Sequence, residues 1–383
     1  MKNLLRFLSY VLVAAVASAA TLLLFMPRSQ DFAKLGELKT LIDRVFIGDA
    51  DAKAMEDAAA AAMVEALDDR WSYYMTAEDY QAYLEQMANA YVGIGITITA
   101  RDDGYIDVTK VEADGPAQKA GMLPGDVIIA VEGTDIGSMD LTAVKNMVRG
   151  KEGTAVKITV RRDAETLELE IIRSQIKTVV ASGQMLEDNI GYVKIANFDD
   201  RCAQETLAII QQLQQQGAQA LIFDVRYNPG GYKHELLQIL DHLLPEGPLF
   251  RSLDYTGKET VDSSDKDCLE LPMAVLINGD SYSAAEFFAA ALDEYDAAIL
   301  VGEATTGKGH FQSSYKLSDG SAAVISVGKY YTPKGVSLAD VGGLVPEVVV
   351  AVDKETYLEI YNGQVPPQED TQIQKAVEIL RAA

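Results

Sequence analysis

Histidine and cysteine are almost missing from this chain. Only His234, His242 and His310 occur in 383 residues, and Cys202 and Cys268 stand alone. Two cysteines make neither a disulfide framework nor a zinc cluster, and the absence of a His-Glu-x-x-His segment argues against a metallopeptidase of that type. Basic residues are scarce as well. Lys and Arg number 33 against 57 Asp and Glu, a formal charge of −24. Such a surface repels nucleic acid, and no basic stretch interleaved with aromatics offers an exception. Internal repeats and low-complexity tails are also lacking. The length suffices for two or three domains.

One long apolar run is present. Residues 8–26 are apolar apart from small polar residues, with Lys2 and Arg6 before them. Nineteen residues at about 1.5 Å each span roughly 28 Å, near the thickness of a bilayer core. The preceding cations favour an N-in orientation, which Arg28 weakens. The expectation is a single-pass anchor in the cytoplasmic membrane with the body of the chain outside. A signal peptide cleaved near Ala17-Ser18-Ala19, giving a secreted protein, is the alternative.

Residues 30–90 read as helical. The alanine-rich stretch from Ala58 to Leu67 has high helix propensity, and Asp57 is placed to cap it. Trp71, Tyr73 and Tyr74 are expected to pack these helices onto the rest. At Tyr91 the period changes. Ile94, Ile96 and Ile98 alternate as in a strand, and short strands, turns and two helices follow to residue 172. From Ile190 apolar strands alternate with helices: 191–195, 220–225, 273–277 and 297–301 as strands, 202–216, 232–244 and 283–292 as helices. This is the pattern of an α/β core. Residues 370–383 form a closing helix.

Two segments carry chemistry. Asn278-Gly279-Asp280-Ser281-Tyr282-Ser283-Ala284-Ala285-Glu286 leads from an apolar strand into a helix. At a helix N-terminus the free amides and partial positive potential favour a developing oxyanion, so the Ala284 amide would serve Ser283 as nucleophile. Ser283 also suits a plain N-cap, for which Ser281 competes. The second segment is Gly302-Glu303-Ala304-Thr305-Thr306-Gly307-Lys308-Gly309-His310-Phe311-Gln312. Burial lowers a lysine pKa, and a neutral Lys308 can take the Ser283 proton, with Gln312 orienting the amine. The same segment resembles a nucleotide-binding P-loop, but Gly309 stands where that loop needs Ser or Thr, and a strand rather than a helix is expected next. A further oxyanion donor is expected from Asp224-Val225-Arg226-Tyr227-Asn228-Pro229-Gly230-Gly231, whose glycines allow close backbone approach.

Together these motifs resemble the C-terminal processing peptidases, or tail-specific proteases. The family's Ser-Ala-Ser-Ala-Ser-Glu reads here as Ser281-Tyr282-Ser283-Ala284-Ala285-Glu286, and its Gly-Lys-Gly falls 25 residues after Ser283. Tyr282 and Ala285 depart from the pattern without removing a catalytic atom. Gly93-Ile94-Gly95-Ile96 and Gly115 to Asp126 resemble the carboxylate loop and helix-turn of a PDZ domain. The resemblance implies a serine endopeptidase cleaving near the C-termini of proteins, with catalytic Ser283, Lys308 and Gln312, an oxyanion hole of Ala284 with Gly230 or Gly231, and peptide-carboxylate binding at Gly93, Ile94, Gly95 and Ile96. It implies a PDZ domain joined to an α/β core of the ClpP/crotonase-like type. The boundaries read from the sequence are 1–29 anchor or signal, 30–90 helical, 91–172 PDZ, 173–365 peptidase and 366–383 closing helix. No metal or organic cofactor is implied. The expected partners are proteins or peptides with free C-termini and the cytoplasmic membrane, with a homo-oligomer left open. A membrane-tethered peptide-binding scaffold with an inactive core is the competing function.

Overall fold

A computed structural model describes residues 32–382. The chain divides after Met63 into two compact units. The first contains the helix Ala33–Val45, and the helix Ala52–Glu65 runs across the boundary. That second helix begins a turn and a half before the alanine run. Asp51 accepts from the Ala54 amide at 3.0 Å, and Asp57 lies inside the helix, paired with Lys53.

The longest helices among the described residues have 14 residues. At ~1.5 Å per residue they fall well short of a ~30 Å bilayer core. No helix among the described residues is long and apolar enough to cross a membrane. The expected membrane anchor, the membrane as a partner and the cell-membrane location are corrected accordingly. Residues 8–26, on which those expectations rested, lie outside the described residues.

In the second unit, residues 96–172 build a β-rich body. Its sheet runs in the order Ile96–Ala100, Ile106–Val111, Val127–Val131, Ala155–Arg162, Glu165–Ile172, with Thr134–Asp135 against Val127–Val131. The two-residue period sends Ile106, Val108, Val156, Ile158 and Val160 inward, onto Val144 of the helix Leu141–Val148. Asp140 caps that helix through the Ala143 amide. Ile96–Ala100 is an edge strand, hydrogen-bonded on one side only.

The following α/β portion has a six-stranded sheet ordered Ala181–Met185, Ile190–Ile195, Ala220–Asp224, Met273–Ile277, Ala298–Gly302, Val348–Val349. The first pair is antiparallel and the rest are parallel. Every residue of Ala220–Asp224 and Met273–Ile277 is buried, as strands covered on both faces require. The helices Cys202–Gln215, Lys233–Leu243 and Ala284–Glu294 cover one face, and Thr371–Ala382 covers the other.

A ClpP/crotonase-like core is corrected by this architecture. Alternation of strand and helix accounts only for the parallel sheet. Beside it stands a five-stranded antiparallel sheet of Gly247–Asp254, Glu259–Ser264, His310–Lys316, Ala322–Tyr331 and Tyr73–Met75. Tyr73–Met75 comes from between the helices of the region read as helical, and it pairs with Ala322–Tyr331 in the register Tyr73↔Val324. Three residues are too few for a period to show.

Candidate active site

Ser283 ends a turn that is held at many points. The buried Ser281 hydroxyl donates to the Val225 carbonyl at 2.8 Å, and the Tyr282 amide donates to the Asn228 carbonyl at 3.2 Å. These bonds tie the turn to the neighbouring strand end and remove Ser281 from the capping role. Ser283 is the N-cap of Ala284–Glu294, with φ 59° and ψ −123°. A non-glycine residue there carries strain of about 1–3 kcal/mol and persists only where its surroundings fix it.

Glu286 supplies much of that fixation. It is fully buried. Its carboxylate accepts the Ser283 amide at 3.1 Å, the Lys308 amide at 2.9 Å, the Gly307 amide at 2.6 Å and the Thr305 hydroxyl at 2.5 Å. One carboxylate therefore joins the serine turn to the lysine loop. Sequence reasoning gave Glu286 no role, although Ser-x-x-Glu before an apolar helix is a capping-box signature.

Lys308 lies in the loop between Ala298–Gly302 and His310–Lys316. The element after it is a strand, not the helix that a P-loop lysine requires. The Tyr330 hydroxyl fixes its carbonyl at 2.5 Å. Burial pushes the amine down to about 8, opposed by the nearby Glu286 and Asp69 and reinforced by Arg70. Among the described residues the ammonium makes no ion pair or hydrogen bond. It lies 4.6 Å from the centre of the Trp71 ring. Trp71 in turn packs against Tyr282 in a tilted arrangement at 5.9 Å, and the Arg70 guanidinium lies over its ring at 4.2 Å. Thus Trp71 and Tyr73 line the cleft that holds Ser283 and Lys308 rather than merely packing helices.

Gln312 does not reach the Lys308 amine. Its amide nitrogen donates to the His310 carbonyl at 3.1 Å and the Ser326 hydroxyl at 3.0 Å. Ser326 is part of a chain back to the aromatic wall. Its amide donates to Ser72, whose hydroxyl donates to Asp69.

The glycine turn sits against the serine. A Cβ on Gly230 would lie 2.7 Å from Ser283 Cβ and 2.8 Å from the Ala284 nitrogen, and its φ of 92° likewise demands glycine. The Gly230 amide is engaged, donating to Asn228 Oδ1 at 2.9 Å. Gly231 bridges to Phe198 through its neighbours, the Gly230 carbonyl and the Tyr232 amide. Its own N–H takes no part in this bridge. Buried charges brace this turn. Arg226 makes a two-pronged contact to Asp224 at 2.9 and 2.7 Å and meets Asp370 at 2.9 Å. Tyr192 also donates to Asp224, at 2.6 Å. Asp224 is held below the usual carboxylate range by Arg226 and Tyr192, which outweigh its burial.

Ser283, Ala284, Gly230, Gly231, Lys308 and Gln312 all line one cleft of about 830 Å³. Gly93, Ile94, Gly95 and Ile96 lie elsewhere. Ile94 is buried in the β-rich body, Gly95 has φ 75°, and Ile96 opens the edge strand. The Ile94 and Gly95 carbonyls accept from Ala117 and Glu112.

This arrangement is that of a serine peptidase, carrying a separate β-rich body. Residues 189–350 match the model of peptidase family S41, and residues 108–162 match a PDZ domain. The chain is 30% identical over 350 residues to the carboxy-terminal processing protease CtpA of Bacillus subtilis, covering 88% of this chain and 75% of that protein. It is 31% identical over 305 residues to a CtpA-like serine protease of Staphylococcus haemolyticus, covering 79% and 61%. A solved structure described as an S41 protease from Bacteroides fragilis shares the fold, with a TM-score of 0.52 at 17% identity, over 88% of this chain and 92% of that one. The chain belongs to peptidase family S41, the serine-type C-terminal processing endopeptidases that carry a PDZ domain.

Proposed function

We propose that Ser283 is the nucleophile and Lys308 the general base of this endopeptidase. The observation that carries the reading is that the Ser283 and Lys308 amides donate to the same oxygen, Oε2 of Glu286. The neutral Lys308 amine leaves the Trp71 face and takes the Ser283 proton as the hydroxyl oxygen attacks a peptide carbonyl. The Ala284 and Gly231 amides receive the oxyanion, a choice supported by the engagement of Gly230 with Asn228. The lysine returns its proton to the leaving amine, then takes one from water as the acyl-enzyme hydrolyses. Gln312 acts on the wall behind the amine through Ser326 instead of on the amine itself.

The substrate is an unfolded C-terminal tail. Its last residues add to the free edge of Ile96–Ala100, and its carboxylate meets the loop of Gly93, Ile94, Gly95 and Ile96. In this reading residues 91–172 are the recognition domain, 173–365 the catalytic domain and 366–383 the closing helix. Cleavage of an unstructured protein by the whole chain tests the catalytic assignment. Ser283→Ala and Lys308→Ala should each abolish it while leaving the thermal transition intact. Wild-type cleavage by a folded, uncontaminated Ser283→Ala protein would overturn it.

A further inference from the structure

One buried carboxyl oxygen in the cleft finds no hydrogen-bond partner among the described residues. Asp199 is 3% exposed, and its Oδ1 is buried without a hydrogen-bond partner. Its backbone is fully occupied, since the amide donates to Asn197 Oδ1 at 3.0 Å and the carbonyl accepts from Cys202. The backbone at Asp199 is thereby fixed in place. A buried, unpaired polar group is costly, and in native structures it calls for an explanation.

The position of the carboxyl is informative. A Cβ on Gly231 would lie 2.6 Å from Asp199 Oδ1, while a Cβ on Gly230 would lie 2.7 Å from Ser283 Cβ. Serine and carboxyl thus abut consecutive residues of one turn, whose Cα atoms are about 3.8 Å apart. An extended substrate advances roughly 3.3 Å per residue. Asp199 therefore faces a substrate residue one or two positions from the bond that Ser283 attacks.

The surroundings favour a cation. Burial pushes the Asp199 carboxyl up to about 7, and the neighbouring Asp200 and Glu235 add to the effect. No cleft cation is paired with it among the described residues. The Lys233 ammonium is bound to Asp262 at 2.9 Å, and Arg70 and Lys308 lie on Trp71. The cleft wall also presents Tyr80, Tyr83, Tyr232 and Tyr282, suitable for the methylene stem of a long basic side chain.

We propose that Asp199 is a specificity-determining residue that pairs with a lysine or arginine of the substrate next to the scissile bond. This rests on the reading of the cleft as the active site. It adds a requirement at the cut itself, separate from recognition of the substrate's C-terminus.

The test measures binding, so that it does not depend on turnover. Unstructured peptides with one common C-terminus carry Lys, Arg, acetyl-lysine, Gln or Met at each of four positions around the cleaved bond. They are titrated onto the whole Ser283→Ala chain and onto the Ser283→Ala/Asp199→Asn chain. Lys and Arg should bind about tenfold tighter than acetyl-lysine, Gln or Met at one position, and Asp199→Asn should erase the difference. Equal binding of lysine and acetyl-lysine at all four positions would overturn the proposal without any use of the Asp199 variant. A preference that survives Asp199→Asn would also overturn it. Failure of the catalytic reading would show separately, as cleavage by the Ser283→Ala chain.

Discussion

The ammonium of Lys308 rests 4.6 Å from the centre of the Trp71 ring. A ring face attracts the charged form of an amine by about 0.5–2 kcal/mol. Burial acts in the opposite direction and prevails, leaving the amine down at about 8. The amine is therefore held mostly protonated at neutral pH, on an aromatic seat that, as the proposed base, it would leave in order to react.

A pH–rate profile measured under conditions where acylation limits turnover should rise with one proton lost and an apparent pKa near 8. A profile flat from pH 6 to 9 would exclude Lys308 as the base. Trp71→Leu keeps an apolar neighbour and removes the ring quadrupole. It should move the inflection down by roughly 0.4 to 1.4 units, the conversion of the ring's attraction at ~1.4 kcal/mol per unit. An unmoved inflection would show that the ring has no influence on the amine.

Lys308→Met should make the protein more stable at pH 7 even as it abolishes activity. The folded pKa of about 8 lies below the unfolded value, so between the two the unfolded chain binds more protons and the stability of the wild type rises with pH. Below about pH 8 the full cost of the buried charge is present, and removing it should gain about 1–3 kcal/mol. Urea titrations at pH 7 and pH 10.5 should show the gain shrinking at the higher pH.

Glu286→Gln replaces one of two acceptor oxygens by a donor, facing four donors from Ser283, Thr305, Gly307 and Lys308. At least one buried amide or hydroxyl then loses its partner, at a cost of about 1–3 kcal/mol each. The melting temperature should fall, and kcat should fall by at least about a hundredfold as the strained Ser283 turn relaxes. Unchanged kcat would mean that the carboxylate does not set the geometry of the pair.

The edge strand Ile96–Ala100 predicts a preference for a free C-terminus. Titration of the whole Ser283→Ala chain with one peptide in acid and amide forms should show the acid binding more tightly. Equal affinity would exclude carboxylate recognition at Gly93, Ile94, Gly95 and Ile96 without bearing on the catalytic pair.

The parallel sheet was legible because its strands are continuous apolar runs bounded by turn residues, as in Met273–Ile277. The serine turn and the lysine loop were legible because their chemistry is local to each motif. What joins them was harder to read. Glu286 was visible as a helix-cap residue, but its contacts to Gly307 and Lys308 depend on the strand order. Trp71 has no local signal at all: its place in the cleft follows from a three-residue strand pairing with residues about 250 positions later. Asp199 is one of two adjacent acids just before the helix Cys202–Gln215 and carries no motif of its own. Only the passage of Gly231 beside it makes the carboxyl a feature of the cleft.

The pairing of Tyr73–Met75 with Ala322–Tyr331 also bears on the order in which the protein is made. Ribosomes deliver Ser283 and Lys308 before the strand that anchors the tryptophan wall behind them. A growing chain thus carries both reactive groups while the third side of their enclosure still lacks its partner. Closing that side requires residues made after both of those groups, so the peptidase acquires its complete cleft only once the strand Ala322–Tyr331 has been delivered.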